Sequence, residues 1–402
     1  MRRLRVLLLL VVCAPGVHAL DWGVNLNELP VLVTGEQSLA YSASQVQLWM
    51  SSPMAGADFR IEVRGTLAAS TTDLTVANQS LNSEATIDLW ELRLAGQTVW
   101  DTGEGGTFDW NLGRRNVTDL TGGWIVDSRW DGAAVSGQLG QTKVGLGFGY
   151  SGLLLNATAR VNGSPADLAH QNDTALLLAP KRLYSNFWVG VNEAFFRQDL
   201  QTEVLGDYDF RSPDEAVHGT YVTTSMSGPL PGGLRERLFA TGALRMAMYT
   251  QTPGFLSGAE LSSNFAFLGL RAVLGAVAAW AWGAPGFQPI SGNSLSDVIS
   301  LPTAHAASIK LDGSIRPGAG FVVGAKANSL WRTSTDIPPL AGFQPKSTDA
   351  WLGTEAVFYG SWNPTSDLSL GWSGGVFFPQ FGAFTPDTQV TGVSAISVTV
   401  KL

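Results

Sequence analysis

The sequence predicts an all-β protein: a transmembrane, antiparallel, up-and-down β-barrel of about 16 strands, within a range of roughly 14 to 18. Three observations lead to this prediction. Apolar and polar residues alternate along many stretches, the composition is low in charge and rich in aromatic residues and glycine, and the chain begins like an exported protein. The alternation carries the most weight, because a period of two places successive side chains on opposite faces of a strand.

Residues 234–249 show the alternation most clearly. From Leu238 onward the even positions are all apolar or glycine, whereas the odd face carries Arg235, Arg237 and Arg245 among small residues. Strands of soluble proteins usually have about five or six residues, and a tilted strand that crosses a bilayer needs roughly 9–11. We therefore expect the even face to contact lipid and the odd face to contact water in a lumen.

The start of the chain predicts a secretory signal peptide over residues 1–19. Three arginines among the first five residues precede a short uncharged apolar run, and Ala19 is a small residue at a plausible cleavage site. Cleavage there would leave residues 20–402 as the barrel and would remove Cys13, the only cysteine. A lipidated Cys13 is the alternative, although Val12 is bulkier than a lipidation site normally has.

The bulk composition narrows the class of protein. The net charge of −8 argues against a nucleic-acid partner. Only 14% of residues are charged, while the chain has 46 glycines, 14 tryptophans and 19 phenylalanines. A lipid-facing barrel wall with aromatic girdles has this composition. A soluble secreted β-sandwich or β-helix could share it and stays open as an alternative.

Further strands are predicted along the whole chain. The predicted strands cover residues 39–50, 58–67, 87–94, 108–112, 144–151, 153–161, 187–192, 307–316, 368–372 and 396–402. Residues 20–36 are irregular and are expected to form a plug or a lead-in. Ser151 and Gly152 are expected to form a tight turn between two strands of a meander. The longer external loops are expected at residues 70–83, 162–172, 198–216, 288–303 and 333–348.

One segment, Phe265–Gly283, could be mistaken for a transmembrane helix, because Arg271 is its only charged residue. Its glycines lower helix propensity, and an arginine in the middle of a lipid-embedded helix would be costly. Two strands, or one long strand with a bulge, are therefore preferred over a helix.

The motifs of zinc proteases and of phosphate-binding loops are absent from the sequence. After the predicted cleavage site the histidines are His170, His218 and His305, and none belongs to a HExxH motif. A phosphate-binding GxxxxGK[ST] does not occur either. We expect no catalytic residue, no metal site and no cofactor. Residues distant in sequence could still converge in space, so a membrane-embedded hydrolase stays open as an alternative.

Charged residues on the predicted lumenal faces are the candidates for a functional site. Besides the three arginines of residues 234–249, the strand at 307–316 places Lys310, Asp312 and Arg316 on its polar face. Charged rings inside a pore determine which solutes enter, through the local electrostatic potential. The alternative is that these charges pair across the lumen and only keep it wet.

Two short motifs resemble a known family. Residues 112–116 read LGRRN and residues 127–133 read DSRWDGA. This order, a Gly-Arg strand end followed by an Arg-x-Asp-Gly strand start, resembles alginate-export-type outer-membrane channels and related porins. The resemblance implies that Arg114, Arg129 and Asp131 lie on the lumenal side near the constriction. Alternation instead places Arg114 on the lipid face, which makes Arg115 the alternative lumenal residue.

The expected function follows from a closed sheet in a bilayer. Backbone polar groups in lipid must all be paired, so the sheet must close, and a barrel of this size can enclose water. We expect a channel in the bacterial outer membrane for passive diffusion of small hydrophilic solutes, with outer-membrane lipid as its surroundings. A non-channel barrel with a plugged lumen, acting as an adhesin or scaffold, is the alternative. The sequence does not determine the oligomeric state.

Overall fold

A computed structural model of the chain shows one closed sheet of 18 strands, in which every neighbouring pair is antiparallel. The structure describes residues 20–34, 39–54, 56–72, 82–100, 106–161, 164–172, 177–247, 250–282, 287–299, 301, 303–334, 344–345, 350–380, 384–385 and 390–401. The strands are β1 (Asp21–Thr34), β2 (Leu39–Met54), β3 (Ala57–Thr72), β4 (Asn82–Trp100), β5 (Gly106–Thr118), β6 (Asp127–Leu139), β7 (Thr142–Tyr150), β8 (Arg182–Phe195), β9 (Gln198–Asp209), β10 (Val217–Pro229), β11 (Leu234–Ala247), β12 (Thr250–Phe267), β13 (Leu270–Trp282), β14 (Ala306–Gly318), β15 (Phe321–Arg332), β16 (Trp351–Trp362), β17 (Leu368–Pro379) and β18 (Thr391–Lys401).

Elements outside the barrel wall are short. Helices α1 (Asn156–Ala159) and α2 (Pro165–Asn172) lie between β7 and β8, and Gln344–Pro345 pairs with Phe384–Thr385. No helix in the described part of the chain is long and apolar enough to cross a membrane.

The wall closes between the first and the last strand. β1 pairs with β2 on one edge and with β18 on the other, in a register from Asn25 opposite Lys401 to Thr34 opposite Gly392. The prediction of a closed sheet is confirmed. The observed count of 18 strands corrects the predicted count of about 16.

Two strands lie where irregular chain was predicted, so these two predictions were wrong. β1 falls within residues 20–36, where Glu28 and Pro30 interrupt the apolar series of its outer face. β9 falls within the predicted loop 198–216, because acidic residues such as Asp207 face inward and gave this strand a loop-like composition. Strand pairing with both neighbours overrides these weak local patterns.

One predicted strand does not form. Residues 153–161 alternate, but they make a turn followed by α1. The apolar spacing serves a small buried cluster of Leu154, Ala159, Val161 and Ala179. The predicted loop 162–172 in turn contains α2.

The apolar segment Phe265–Gly283 forms two strands, as preferred from the sequence. β12 ends at Phe267, Leu268 and Gly269 make the turn, and β13 begins at Leu270. Gly269 has a φ of 78°, a conformation that glycine adopts without strain. Residues 1–19, Gly283 and most of the predicted loops 70–83 and 333–348 lie outside the described residues.

The two faces of β11 differ as the alternation predicts. Leu238 and Leu244 are exposed on the outer face, whereas Phe239, Thr241 and Arg245 are buried on the inner face. The odd-numbered side chains therefore point into the barrel.

Candidate functional site: the barrel interior

Of the connections that the structure describes, two fold into the barrel. We call them the first inner segment (residues 119–126, after β5) and the third-quarter segment (residues 287–299, 301 and 303–305, after β13). The latter covers the loop predicted to be external at residues 288–303, so that prediction was wrong. The backbone N–H of Leu120 donates to Glu203 of β9 at 3.0 Å. Arg237 of β11 donates to the carbonyl of Thr121 at 3.0 Å. Because β9 and β11 lie four and six strands away from β5, the first inner segment crosses the interior.

Asp119 organises the first inner segment. Its carboxylate accepts hydrogen bonds from the backbone of Thr121 at 2.9 Å, of Gly123 at 3.1 Å and of Val126 at 3.2 Å. Burial raises the pKa of the Asp119 carboxyl above its ordinary value, and the hydrogen bonds from Thr121 and Val126 act in the opposite direction. These bonds bend the chain around a single side chain and so fix the shape of the segment.

The third-quarter segment packs directly on the first inner segment. Ile290 donates its N–H to Ile125 at 2.8 Å, and Asn293 donates to Gly123 at 2.9 Å. The hydroxyl of Thr303 donates to the carbonyl of Trp124 at 3.1 Å. The two segments therefore form one body inside the barrel.

Side chains from well-separated strands hold this body in place. Tyr221 of β10 donates its hydroxyl to the carbonyl of Gln288 at 2.7 Å. Glu355 of β16 accepts from the backbone of Asp297 at 2.9 Å and from that of Val298 at 3.2 Å. The third-quarter segment thus reaches from β10 to β16.

Apolar side chains fill the space between this body and the wall. Two buried clusters combine inward-facing residues of strands between β5 and β17 with residues of both segments, and we call this region the packed side. Its members are Val117, Ile125, Val126, Trp130, Tyr184, Leu205, Tyr221, Phe239, Ala243, Leu256, Ala281, Phe287 and Ile290 in the first cluster, and Ala279, Leu295, Ile299, Leu301, Ala306, Leu330, Leu352 and Phe377 in the second. Part of the barrel interior is therefore dry.

The inner faces of β1 to β4 have a different character, and we call this region the open side. Many of its inward side chains are polar and only partly buried, for example Asn27, Gln45 and Gln47. Charges on β3 and β4 pair with each other: Arg60 lies 3.3 Å from Glu91 between Nε and Oε2, and Arg93 lies at the same distance from Oε1 of that residue. The open side is wet and nearly balanced in charge.

Two cavities border these strands, and the larger one extends along the wall from β3 to β8. One of about 570 Å³ is lined by Asp109, Asn111, Arg115 and Asn186, among others. Another of about 310 Å³ is lined by polar residues of β2 to β4 and by the segment around α1. Room for hydrated solutes exists on this side of the barrel.

Of the three arginines predicted on β11, two attach the inner segments to the wall. Arg237 forms an ion pair with Glu260 and also donates to the first inner segment. Arg245 is buried and donates to the side-chain oxygen of Gln288. Arg235 is exposed and lies next to the short turn that precedes β11.

The three residues predicted on β14 lie in three different surroundings. Lys310 lies 3.1 Å from Asp297 of the third-quarter segment, between Nζ and Oδ2. Asp312 accepts a hydrogen bond of 2.6 Å from the hydroxyl of Tyr359. Arg316 is exposed near the end of its strand.

The residues of the two short motifs lie within or beside the wall. Arg114 binds Asp131 with two hydrogen bonds of 2.7 and 2.8 Å, and Arg129 donates to the carbonyl of Trp90 at 2.9 Å. Arg115 lines the larger cavity, as alternation suggested. The pore-lining role of all ten predicted residues stays a prediction.

Sequence reasoning missed two arrangements. The guanidinium carbons of Arg64 and Arg129 lie 3.4 and 3.9 Å from the ring centroid of Trp90. Buried Arg182 donates to Asp167 at 2.9 Å and to Asp207 at 2.5 Å, which ties α2 to the wall. Residues far apart in sequence make both contacts, and no local motif marks them.

Arg211 belongs to the same cluster as Arg182. Its Nη2 lies 2.7 Å from Asp167 and 2.5 Å from Asp209. Burial works to lower the pKa of Arg211, but the hydrogen bonds to Asp209 and the charge of Asp167 together raise it above its ordinary value. Within the described residues, no group of three or more histidine, cysteine, aspartate or glutamate side chains is placed to hold a metal ion.

No protein-family model and no curated protein matches the sequence. Solved structures of similar fold do exist. OccK2 (OpdF) of Pseudomonas aeruginosa has 12% sequence identity and a TM-score of 0.58, covering 96% of this chain and 98% of its own. OpdL of the same organism has 13% identity and a TM-score of 0.56, covering 95% and 99%. The structure of OccK2 with glucuronate has 12% identity and a TM-score of 0.56, covering 95% and 98%. At these identities the likeness shows a shared fold over nearly the whole chain.

Proposed function

We propose that this protein is an outer-membrane channel for passive diffusion of small hydrophilic solutes through the open side of its barrel. The observation that carries the proposal is the uneven filling of the interior. The inner segments bury one side of the lumen. Polar side chains and a cavity of about 310 Å³ lie along the other side, and a cavity of about 570 Å³ extends from β3 to β8.

The outer surface supports a position in lipid. Exposed leucine, isoleucine, valine and aromatic side chains are spread over the outer faces of the strands, for example Leu48, Leu112, Phe148 and Trp372. A closed sheet leaves no unpaired edge, which is the condition for strands in hydrocarbon. Outer-membrane lipid is therefore the proposed surroundings, and we propose no nucleic-acid partner.

The comparisons support the class of solute. One of the similar structures contains glucuronate, a small hydrophilic molecule, bound to OccK2. The paired charged side chains of β3 and β4 would offer such molecules hydrogen bonds in place of those that they make to water. The comparisons do not bear on alginate, so the resemblance to alginate-export-type channels supports only the wider class of outer-membrane channel.

A second candidate function is a plugged barrel that serves as a scaffold or an adhesin. The two buried clusters inside the barrel favour it, because they exclude water from much of the interior. In neither case do we propose an enzyme.

Single-channel recording in planar bilayers separates the two candidates. Folded, purified protein is expected to give discrete conductance steps, and glucuronate added to one side is expected to carry current. The same protein after heat unfolding is the control. If the folded protein gives no discrete conductance steps, the protein is a plugged barrel that serves as a scaffold or an adhesin.

The export route has its own test. We propose that residues 1–19 are a signal peptide, so N-terminal sequencing of the protein from the outer-membrane fraction should begin at Leu20. A chain that retains Cys13 with an attached lipid would instead show a lipoprotein.

A further inference from the structure

The wall of the barrel has a seam between β4 and β5. β4 pairs with β5 only from Leu92 opposite Arg114 to Trp100 opposite Gly106. On its other edge β4 pairs with β3 over residues 82–95. Residues 82–91 therefore have no strand partner on the β5 side, and this is the longest such stretch among the described strands.

Two local features explain why the strands separate at this level. Trp90 is an extra residue in β4, because β3 pairs Glu62 with Glu91 and Val63 with Leu89. Such a bulge bends its strand and interrupts the pairing. On β5, Gly113 pairs with Arg93 and has a φ of 113°, and a Cβ atom there would lie 2.0 Å from the carbonyl oxygen of Leu92. The strands touch closely at this point and diverge beyond it.

Two arginine side chains close the seam in place of backbone hydrogen bonds. Arg114 donates to the carbonyl of Leu89 at 2.5 Å, and Arg129 donates to the carbonyl of Trp90 at 2.9 Å. Asp131 holds the guanidinium of Arg114 from the β6 side. The β4 carbonyls thus receive charged side-chain donors, and no strand hydrogen bonds need to break for the seam to open.

The segment around α1 covers the seam. Arg114 also donates to the carbonyl of Leu153 at 3.2 Å. The hydroxyl of Thr158 donates to Asp88 of β4, and that of Ser128 in β6 donates to the carbonyl of Ala159. Side-chain contacts alone therefore connect this segment to both edges of the seam.

The seam separates two different environments. Outside, Ile87 is 80% exposed and Leu153 is 65% exposed, both beside the unpaired edge. Inside lies the cavity of about 310 Å³, which Trp90, Leu155 and Thr158 line. Its charged lining residues are balanced, namely Arg64, Arg160, Glu84 and Asp88.

We propose that the β4–β5 seam is a lateral portal, latched by Arg114 and Arg129, through which an uncharged single-chain amphiphile passes between the cavity and the lipid. The apolar rim fits an alkyl chain, and the balanced polar cavity fits a hydrogen-bonding head without net charge. This inference rests on the membrane position that the proposed function assigns, and it adds a second kind of solute.

Photolabelling tests the portal. The protein in lipid nanodiscs is irradiated with dodecyl glucoside that carries a diazirine in its alkyl chain, and the labelled peptides are identified by mass spectrometry. Label is expected on the cavity residues Thr86, Trp90 and Leu155. Label confined to outward-facing residues, at the level found on the outer face of β11, would overturn the portal.

The latch is tested with Arg129→Gln and, as a second variant that keeps the charge, Arg114→Lys. Cavity labelling should rise about tenfold in Arg129→Gln, since the loss of one charged hydrogen bond shifts an opening equilibrium by this order. Arg197→Gln, in an exposed turn away from the seam, is the matched control. Unchanged labelling in both latch variants would show that the arginines do not hold the seam.

Conductance of the same preparations keeps the two proposals apart. Protein that conducts but leaves the cavity unlabelled overturns the portal alone. Protein that labels in the cavity but does not conduct supports the portal and contradicts the proposed channel.

Discussion

The packed side and the open side of the interior differ although their strands look alike from outside. On the packed side Tyr221, Phe239 and Leu256 face inward and are buried against the inner segments. On the open side inward residues such as Gln47 and Arg93 stay partly accessible. The alternation of each strand places a side chain inside the barrel. The connections that fold inward then decide whether it meets protein or water.

The largest expected effect comes from breaking the attachment of the packed side at Glu355. Its buried carboxylate accepts from Asn328 at 2.8 Å and from two backbone N–H groups of the third-quarter segment. Glu355→Ala leaves these donors unpaired, at a cost of about 1–3 kcal/mol for each buried group. The barrel should unfold at a lower temperature in heat-modifiable gel migration, and its conductance should become larger and noisier.

Glu215→Ala is the matched control for Glu355→Ala, because Glu215 is an exposed carboxylate in the connection between β9 and β10. It should leave the unfolding temperature and the conductance unchanged. Equal behaviour of the two variants would show that Glu355 does not hold the third-quarter segment.

A smaller effect, on the reversal potential, is expected when one arginine from each side is replaced by glutamine. Arg93 has 36% of its side chain exposed on the open side, whereas Arg245 is buried on the packed side. Arg93→Gln removes a positive charge from the wet lumen, so the reversal potential in a salt gradient should shift toward cation selectivity. Arg245→Gln should shift it less and should instead increase current noise, because Arg245 holds Gln288. The opposite order would reverse the assignment of the two sides.

The smallest effect is expected at Lys326. Its Nζ lies 3.4 Å from Asp297, which Lys310 also contacts at 3.1 Å, and all three side chains are partly exposed. Partly exposed ion pairs contribute about 0–1 kcal/mol and weaken with salt. Lys326→Gln should lower the unfolding temperature slightly at low ionic strength and not at high ionic strength. A large decrease that persists in high salt would show a packing role for Lys326.

The sequence predicts the wall better than the interior. The face of β11 follows directly from its alternation, since lipid contact requires an unbroken apolar row. β1 escapes the same reasoning because Glu28 lies on its outer row, where it accepts a hydrogen bond of 2.6 Å from Ser42. Residues 153–161 imitate a strand because a buried cluster happens to use the same spacing.

The site itself depends on contacts between distant residues, which is why the sequence did not reveal it. Glu203 meets Leu120, and Thr303 meets Trp124, only because two connections turn inward. For Arg114, the alternation predicted a side chain on the lipid face, whereas the family resemblance predicted one on the lumenal side. The structure places it at the seam, where it binds a strand carbonyl. A charged residue out of phase with its strand was the one signal that marked the seam in advance.

Cysteine accessibility tests the two-sided interior most directly. After the predicted cleavage site the chain has no cysteine, so single cysteines can be placed at Gln47 on the open side and at Thr241 on the packed side. A water-soluble, charged methanethiosulfonate reagent is added while single-channel current is recorded. We expect stepwise loss of current with Gln47→Cys and no change with Thr241→Cys, whose position is fully buried. Block at position 241 with no block at position 47 would contradict the account.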